Sequence, residues 1–267
     1  MTPDCNDPLS AFRADGYVVS PRLLEVELPA LLTMAKDALK REPGEKFASA
    51  HWNEGGFLFD DRKRLFKVQG AALHMPELIE LAFGNSKVLD LVRHVCDFTS
   101  ALDVFGTKFF PLWPLGGRSV GWHQDHYYFG TESSRQIISC GVYLEDTDRE
   151  NGCLRIIPKS HLLGRLLEHS GDGKAGGFES GEWVDMERCP ELLADAVDVA
   201  VPAGSVVLFD ARVLHAAYEN RTADRTRLSL FGHYVPQSLQ FQWRGTDFSY
   251  GLYADRHHVG HREGEAA

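Results

Sequence analysis

Two histidines, an aspartate and an arginine carry most of the chemical content of this chain. His123 and Asp125 sit in the run Trp122-His123-Gln124-Asp125. His215 ends the run Leu208-Phe209-Asp210-Ala211-Arg212-Val213-Leu214-His215, and Arg227 follows it. His-x-Asp with a distant histidine is the donor set of a facial triad, which holds non-haem Fe(II) and leaves coordination positions open for a cosubstrate and oxygen. An arginine beyond the second histidine is what the far carboxylate of a 2-oxo acid would need, because its planar fork binds carboxylate bidentately.

Strands are needed to aim these groups. Side chains alternate faces along a strand, so His123 and Asp125 project together while Gln124 and His126 point away. His126 is therefore a poor third ligand despite its proximity. His215 is expected from another strand, across a barrel. Ser205-Val206-Val207-Leu208-Phe209 is a β-branched and aromatic run after the turn Pro202-Ala203-Gly204. The next apolar run, Leu228-Ser229-Leu230-Phe231, would carry Arg227 inward beside it. Arg225 would share a strand face with Arg227, so periodicity leaves both open as the carboxylate partner.

Preceding these strands are helical signals. Leu28, Leu31, Leu32, Ala35 and Leu39 recur at a helical period within residues 23–41. Residues 76–96 read as helical too, interrupted near Gly84-Asn85. Asp15-Gly16 is a turn before a short strand, Tyr17-Val18-Val19. From residue 101 the chain changes to short strand-like runs: 104–109, 137–144, 153–158, 200–201, 206–209 and 228–235. The expectation is a mainly β (α+β) single domain over 1–267. Residues 1–100 form a helical support, 101–240 a double-stranded β-helix (jelly roll, cupin-like) core, and 241–267 a tail. Residues 162–198 are an insertion, whose glycine-rich part at 171–178 is expected to act as a lid. The histidine-rich tail, Arg256-His257-His258-Val259-Gly260-His261, reads as a solvated terminus.

The 267 residues carry a formal net charge of −10. That weighs against nucleic acid or an anionic membrane as partner, although a local basic pocket could override the average. No apolar stretch approaches the roughly 18 residues of a membrane span, and the N-terminus lacks the features of a signal peptide. Five cysteines, scattered and without a C-x-x-C pair, suit a reduced cytoplasmic protein with free thiols. No obligate protein partner is evident.

The chain resembles the phytanoyl-CoA dioxygenase family of Fe(II)/2-oxoglutarate-dependent oxygenases. The matching text is Lys108, Trp122-His123-Gln124-Asp125-His126-Tyr127-Tyr128, Glu150-Asn151-Gly152-Cys153-Leu154-Arg155-Ile156-Ile157-Pro158-Lys159-Ser160-His161 and Gly204-Ser205-Val206-Val207-Leu208-Phe209. It continues through Leu214-His215 and Asn220-Arg221-Thr222 to Arg225-Thr226-Arg227. The resemblance implies that His123, Asp125 and His215 bind iron and that Arg227 holds the distal carboxylate of 2-oxoglutarate. It also implies that Lys108 reaches this cosubstrate, with O2 as the second. Three positions depart from the family pattern. Lys159 stands where glycine is usual in Pro-Gly-Ser-His, Ala217 replaces a hydroxyl residue, and the segment between Asn220 and Arg227 is one residue longer, which keeps Arg225 in contention. Asp125 argues against halogenation, since a related halogenase needs a small residue there.

Blander readings stand beside these. Trp113, Trp122, Tyr127, Tyr128 and Phe129 could shape a pocket or simply fill the barrel. Asn151-Gly152 and His161 would fix turns rather than perform chemistry, and Lys108 could snorkel to solvent. A hydrolytic zinc enzyme and a metal-free jelly-roll binding protein are competing functions. Within the oxygenase reading, the expected substrate is a small molecule, a natural-product intermediate or an amino-acid-like compound, with a fatty acyl-CoA as the alternative.

Overall fold

The computed structural model describes residues 7–43, 56–96, 98, 100–116, 118–129, 137–173, 181–239 and 255–259. Helix α1 (Pro8–Asp15) starts at Asp7, whose carboxylate accepts from the Ser10 N–H at 3.0 Å, and stops at Gly16 in the left-handed conformation. Strand β1 (Tyr17–Ser20) leads to α2 (Leu28–Leu39), which buries Leu31, Ala35 and Ala38 on one face. Next come β2 (Phe57–Phe59), β3 (Leu65–Gln69), α3 (Ala71–His74), α4 (Pro76–Phe83) and α5 (Ser86–Cys96). The rest is mostly strand: β4 (Leu102–Leu112), β5 (Val120–His123), β6 (Ile138–Tyr143), β7 (Leu154–Ile156), and a hairpin of β8 (His169–Gly173) and β9 (Gly181–Val184). After a short α6 (Pro190–Leu193) follow β10 (Val197–Val199), β11 (Ser205–Asp210), β12 (His215–Ala217), β13 (Arg227–Pro236) and β14 (His257–His258).

Two antiparallel sheets face each other. The larger runs β1-β11-β6-β13-β4-β3-β2, with β14 also on β4; the smaller runs β10-β7-β12-β5. From β4 to β13 the chain passes repeatedly between them, giving four strands of each sheet to a double-stranded β-helix, as expected. On the large sheet Ile138, Cys140, Val142, Val206, Leu208, Leu228 and Leu230 face outward into one core with Leu31, Ile79, Val88 and Val92 of the helices. The opposite face looks into the barrel, where Tyr143, Val207 and Phe209 pack with Leu154 and Ile156 of the small sheet. Every residue of β6 and β11 is therefore buried. A sheet covered on both faces reads as a continuous apolar run instead of an alternation.

Several expectations need correction. β2 and β3 lie inside the stretch expected to be a helical support, and they extend the large sheet by pairing through β4. Three buried residues, Phe57-Leu58-Phe59, are too few to display a period. The run at 200–201 is not a strand: β10 lies just before it, and Val201 makes an isolated bridge to Thr147. Part of the tail is built into the fold. Between Phe231 and His233 the β13–β4 register shifts, so Gly106 and Thr107 stand opposite the single residue Gly232. Asp255 accepts from the two N–H groups at this bulge, Gly106 at 2.8 Å and Thr107 at 2.6 Å, and from the Thr107 hydroxyl. Arg256 and His258 both contact Asp103.

The Lys159 departure has a conformational counterpart. Its φ of +67° lies in the left-handed region, and its N–H donates to Asp15 O at 2.9 Å. A side chain there costs about 1–2 kcal/mol, partly offset by the greater freedom glycine loses on folding. Lys159→Gly should therefore stabilise the protein by about 0.5–1 kcal/mol and raise Tm by about 1–3 °C. Calorimetry checks this, and a lower Tm would show that the lysine makes compensating contacts.

Candidate metal centre

The two histidines belong to adjacent strands of the small sheet. His215 on β12 pairs directly with His123 on β5, and their rings lie 4.0 Å apart. The second histidine thus comes from the neighbouring strand, not from across the barrel. β5 ends at His123; Gln124 is still extended, and Asp125 opens a one-turn 3-10 helix, Asp125–Tyr128. The expected alternation survives the end of the strand. His123 Nε2 is 3.5 Å from Asp125 Oδ1, and His215 Nε2 is 3.6 Å from Asp125 Oδ2. One ligand atom from each of the three lies within 4.8 Å of the others.

Gln124 faces away and is fully buried. Its amide donates to Arg212 O at 2.7 Å and accepts from Leu167 N at 2.8 Å, while its backbone N–H donates to His169 Nε2 at 3.0 Å. The residue between the two donors therefore pins that stretch of chain to two other segments. His126 sits outside the cluster.

The imidazoles are oriented for coordination. His123 Nδ1 lies 2.9 Å from Gly121 O, and His215 Nδ1 lies 3.0 Å from Val213 O. Each carbonyl takes an N–H, which fixes the tautomer with a bare Nε2 toward the carboxylate. Burial, with the neighbouring His123, lowers His215 to about 4, so it is neutral near pH 7. Burial opposes the charge on Asp125, but His215, His233 and His123 outweigh it and hold the carboxyl well below the usual range. Ser139 donates to Asp125 Oδ2 at 2.6 Å.

His233 escaped the sequence reading. Its Nδ1 is 3.8 Å from Asp125 Oδ2 and 3.1 Å from Ser139 Oγ, and its Nε2 is 3.5 Å from Lys108 Nζ. Counting by twos from Arg227 gives Ser229, Phe231 and His233, so the strand period could have found it. Burial lowers His233 to about 3 and also lowers Lys108.

The two arginines separate. Arg225 precedes β13, is exposed, and pairs with Asp148 at 2.6 Å, so the shared strand face expected for it does not exist. Arg227 begins β13, is 3% exposed and lines the same cavity as the triad. It donates to Gly152 O at 3.1 Å, while its buried Nε has no partner among the described residues. Both arginines are held by one turn, which Asn151 braces by donating to Asp146 O at 2.8 Å and accepting from Asp148 N at 2.8 Å. Gly152 has φ +99°, and a Cβ there would meet Leu112 and Tyr218 O.

The cavity, about 150 Å³, lies between the sheets. Lys108 and Ala217 line it, as do Tyr128 and Phe129 among the aromatics singled out. Trp122 instead packs with Ile157 and Leu214, and Trp113 donates to Leu65 O at 2.6 Å. Trp183, unforeseen, contributes from β9 with its ring 5.2 Å from that of His123. It rests on Gly121, where a Cβ would approach to 2.8 Å. Most of the expected lid, residues 174–178, lies outside the described residues; among the described residues of the hairpin, Trp183 lines the cavity.

Residues 12–228 match the phytanoyl-CoA dioxygenase (PhyH) family. The chain is 27% identical over 176 residues to a probable alpha-ketoglutarate-dependent hypophosphite dioxygenase of Stutzerimonas stutzeri, a match covering 64% of this chain and 57% of that protein. It is 25% identical over 252 residues to ectoine dioxygenase of Stutzerimonas stutzeri (strain A1501), covering 88% and 80%. The match thus spans less than two thirds of the first relative's length. In fold, it is similar to the epimerase SnoN in complex with Fe3+, alpha ketoglutarate and nogalamycin RO, with TM-score 0.69 and 22% identity over 91% of this chain and 87% of that one.

The buried neutral imidazoles have a consequence for acid stability. His215 and His233 titrate well below the ordinary 6.5, so between pH 6.5 and about 4 the unfolded chain binds more protons than the folded one. Their contribution is complete above pH 6.5 and is lost as pH falls. The metal-free protein should lose on the order of 2–3 kcal/mol for each of the two histidines across that window. Urea midpoints at pH 7 and pH 5 measure it. His233→Gln should roughly halve the slope; an unchanged slope would place the titration elsewhere.

Proposed function

Because the chain belongs to the phytanoyl-CoA dioxygenase family, we propose that it is a non-haem Fe(II)- and 2-oxoglutarate-dependent oxygenase that hydroxylates, or otherwise oxidises, an unactivated C–H bond of a small molecule. One observation carries the reading: two bare imidazole nitrogens and a carboxylate converge at one part of a cavity that also holds a buried guanidinium with no acidic partner among the described residues. Two nitrogens and one oxygen on one face suit Fe(II) and leave positions for a chelating cosubstrate. A lone buried Arg227 suits the distal carboxylate of that cosubstrate.

When bound, iron and 2-oxoglutarate would activate O2, the oxidant: 2-oxoglutarate would give two electrons and leave as succinate and carbon dioxide, and the substrate C–H bond would give the other two. The protein's residues position and exclude. His123 and His215 present Nε2 because carbonyls hold their Nδ1 sides, and Asp125 is steadied by Ser139. Arg227 anchors the far end of the cosubstrate, and Lys108 supplies a second cation. Ala217 offers no hydroxyl, so Arg227 carries that carboxylate with less side-chain help. Phe231, Phe129 and Tyr128 wall the cavity against water.

A zinc hydrolase would use the triad but leave Arg227 without a role. A metal-free binding protein would leave the shared tautomers unexplained. Relatives named for hypophosphite and for ectoine support a small-molecule substrate, in our reading a natural-product intermediate or an amino-acid-like compound, with a fatty acyl-CoA as the alternative. No described helix is long and apolar enough to cross a membrane. Four described cysteines are unpaired, which fits the reducing cytoplasm.

Two tests follow. Asp125→Ala should abolish iron-dependent succinate release while the circular dichroism spectrum is kept; near wild-type turnover without added anions would remove Asp125 from the ligand set. Arg227→Ala should weaken 2-oxoglutarate by about 2–5 kcal/mol, the cost of losing one partner of a buried charged pair. Arg225→Ala should leave that affinity alone and cost at most about 1 kcal/mol of stability, since only an exposed ion pair is lost. Calorimetric titration of 2-oxoglutarate into each variant decides between them, and the reverse order would assign the cosubstrate to Arg225.

A further inference from the structure

The cavity contains more positive charge than a 2-oxo acid accounts for. Besides Arg227 and Lys108, it is lined by Lys67 from β3 and Arg118 from the segment leading into β5. Among the described residues lining it, Asp125 is the one carboxylate. This contrasts with the whole chain, whose net charge is −10.

β3 gathers the two additional cations. Its pairing with β4 sets Val68 beside Phe109 and Gln69 beside Lys108. Lys67 accordingly comes next to Phe110, with its ammonium 5.5 Å from the ring centroid. The Arg118 guanidinium lies 5.9 Å from the ring of Phe66, the residue before Lys67. Arg118 is exposed and Lys67 half-buried, so the pair marks the outer part of the cavity. Burial and the charge of Lys108 bring Lys67 down to about 7, so a nearby anion would favour its charged form. Between this pair and the triad the walls are aromatic: Phe110 and Phe231 meet edge to face at 5.9 Å, and Trp183 lies against His123. Lys108, near His233, and Phe110 are one pleat apart on β4, about 7 Å along the strand.

We propose that Lys67 and Arg118 clamp an anionic oxygen group, a carboxylate or a phosphate, at one end of the substrate, whose apolar body lies along Phe110 and Phe231 toward the triad. The occupant is thus an acid with an apolar body. The clamp selects by charge, the aromatic walls by shape, and neither uses the cosubstrate's own arginine. This deepens the oxygenase reading and rests on it for the identity of the reacting end.

The test uses the full chain loaded with Fe(II) under anaerobic conditions and saturated with 2-oxoglutarate. Benzoate, phenyl phosphate and the neutral benzamide are titrated by calorimetry. The anions should bind at least about tenfold more tightly than benzamide without displacing 2-oxoglutarate, and the better of the two identifies carboxylate or phosphate as the head group. Lys67→Met and Arg118→Met should each erase about tenfold of that preference while benzamide affinity changes little. Lys67→Arg should retain the preference, which separates charge recognition from a packing defect. Equal binding of anion and amide, an undiminished preference in the double variant, or anions that compete with 2-oxoglutarate would overturn the clamp. Failure of the oxygenase reading has a different signature, the absence of iron-dependent 2-oxoglutarate binding in the unsubstituted protein.

Discussion

The hydrogen bond from Ser139 to Asp125 crosses from the large sheet to the segment that leaves the small one. It joins the two halves of the barrel at a carboxylate that is 7% exposed. A buried charge is tolerable only where donors and opposite charges replace water. Here Ser139 is the donor, and the bare Nε2 atoms of His123 and His215 are turned to where a cation would supply the opposite charge; with His233 these side chains come to one point from β6, β5, β12 and β13. The strand order that places β13 beside both β6 and β4 lets His233 touch Ser139 on one side and Lys108 on the other. The topology of the double-stranded β-helix and the chemistry of its interior are thus two descriptions of a single arrangement.

Around that point the sheet divides labour by face. On β13 the outward residues Leu228 and Leu230 bind the helical layer to the barrel, while Arg227, Phe231 and His233 line the cavity. Altering the register by one residue would put apolar side chains in the cavity and charges under the helices. The turn bearing Asn151 and Gly152 enforces the register locally, because it holds Arg225 by Asp148 and Arg227 by a carbonyl, two residues apart and in different environments.

Much of this was legible in the sequence for stated physical reasons. His-x-Asp reports its own geometry, since alternation brings the two side chains together even though Asp125 lies beyond the strand's end. The helical period of α2 and the break between α4 and α5 were visible because one face of each is buried. β2 was not visible, since three consecutive buried residues display no alternation. The choice between Arg225 and Arg227 could not be read, because it depends on where β13 begins, and that is set by Asp148 and Gly152, far away in sequence. His233 is readable by period, since the run of twos starting at Arg227 leads to it. The insertion announced itself by its glycines, yet among its described residues the one that lines the cavity is an aromatic, Trp183.

The docking of Asp255 on β4 bears on the order in which the molecule can be made. β4 emerges early, but apart from β3 its partners are β13 and β14, and the two bulge amides wait for a carboxylate 148 or 149 positions further along the chain. Until then the strand carrying Lys108 has an open edge and unsatisfied N–H groups. Contacts of such separation make folding slow relative to helical proteins. During synthesis the helices can form while the barrel waits, and the bulge amides meet their acceptor only after residue 255 has emerged.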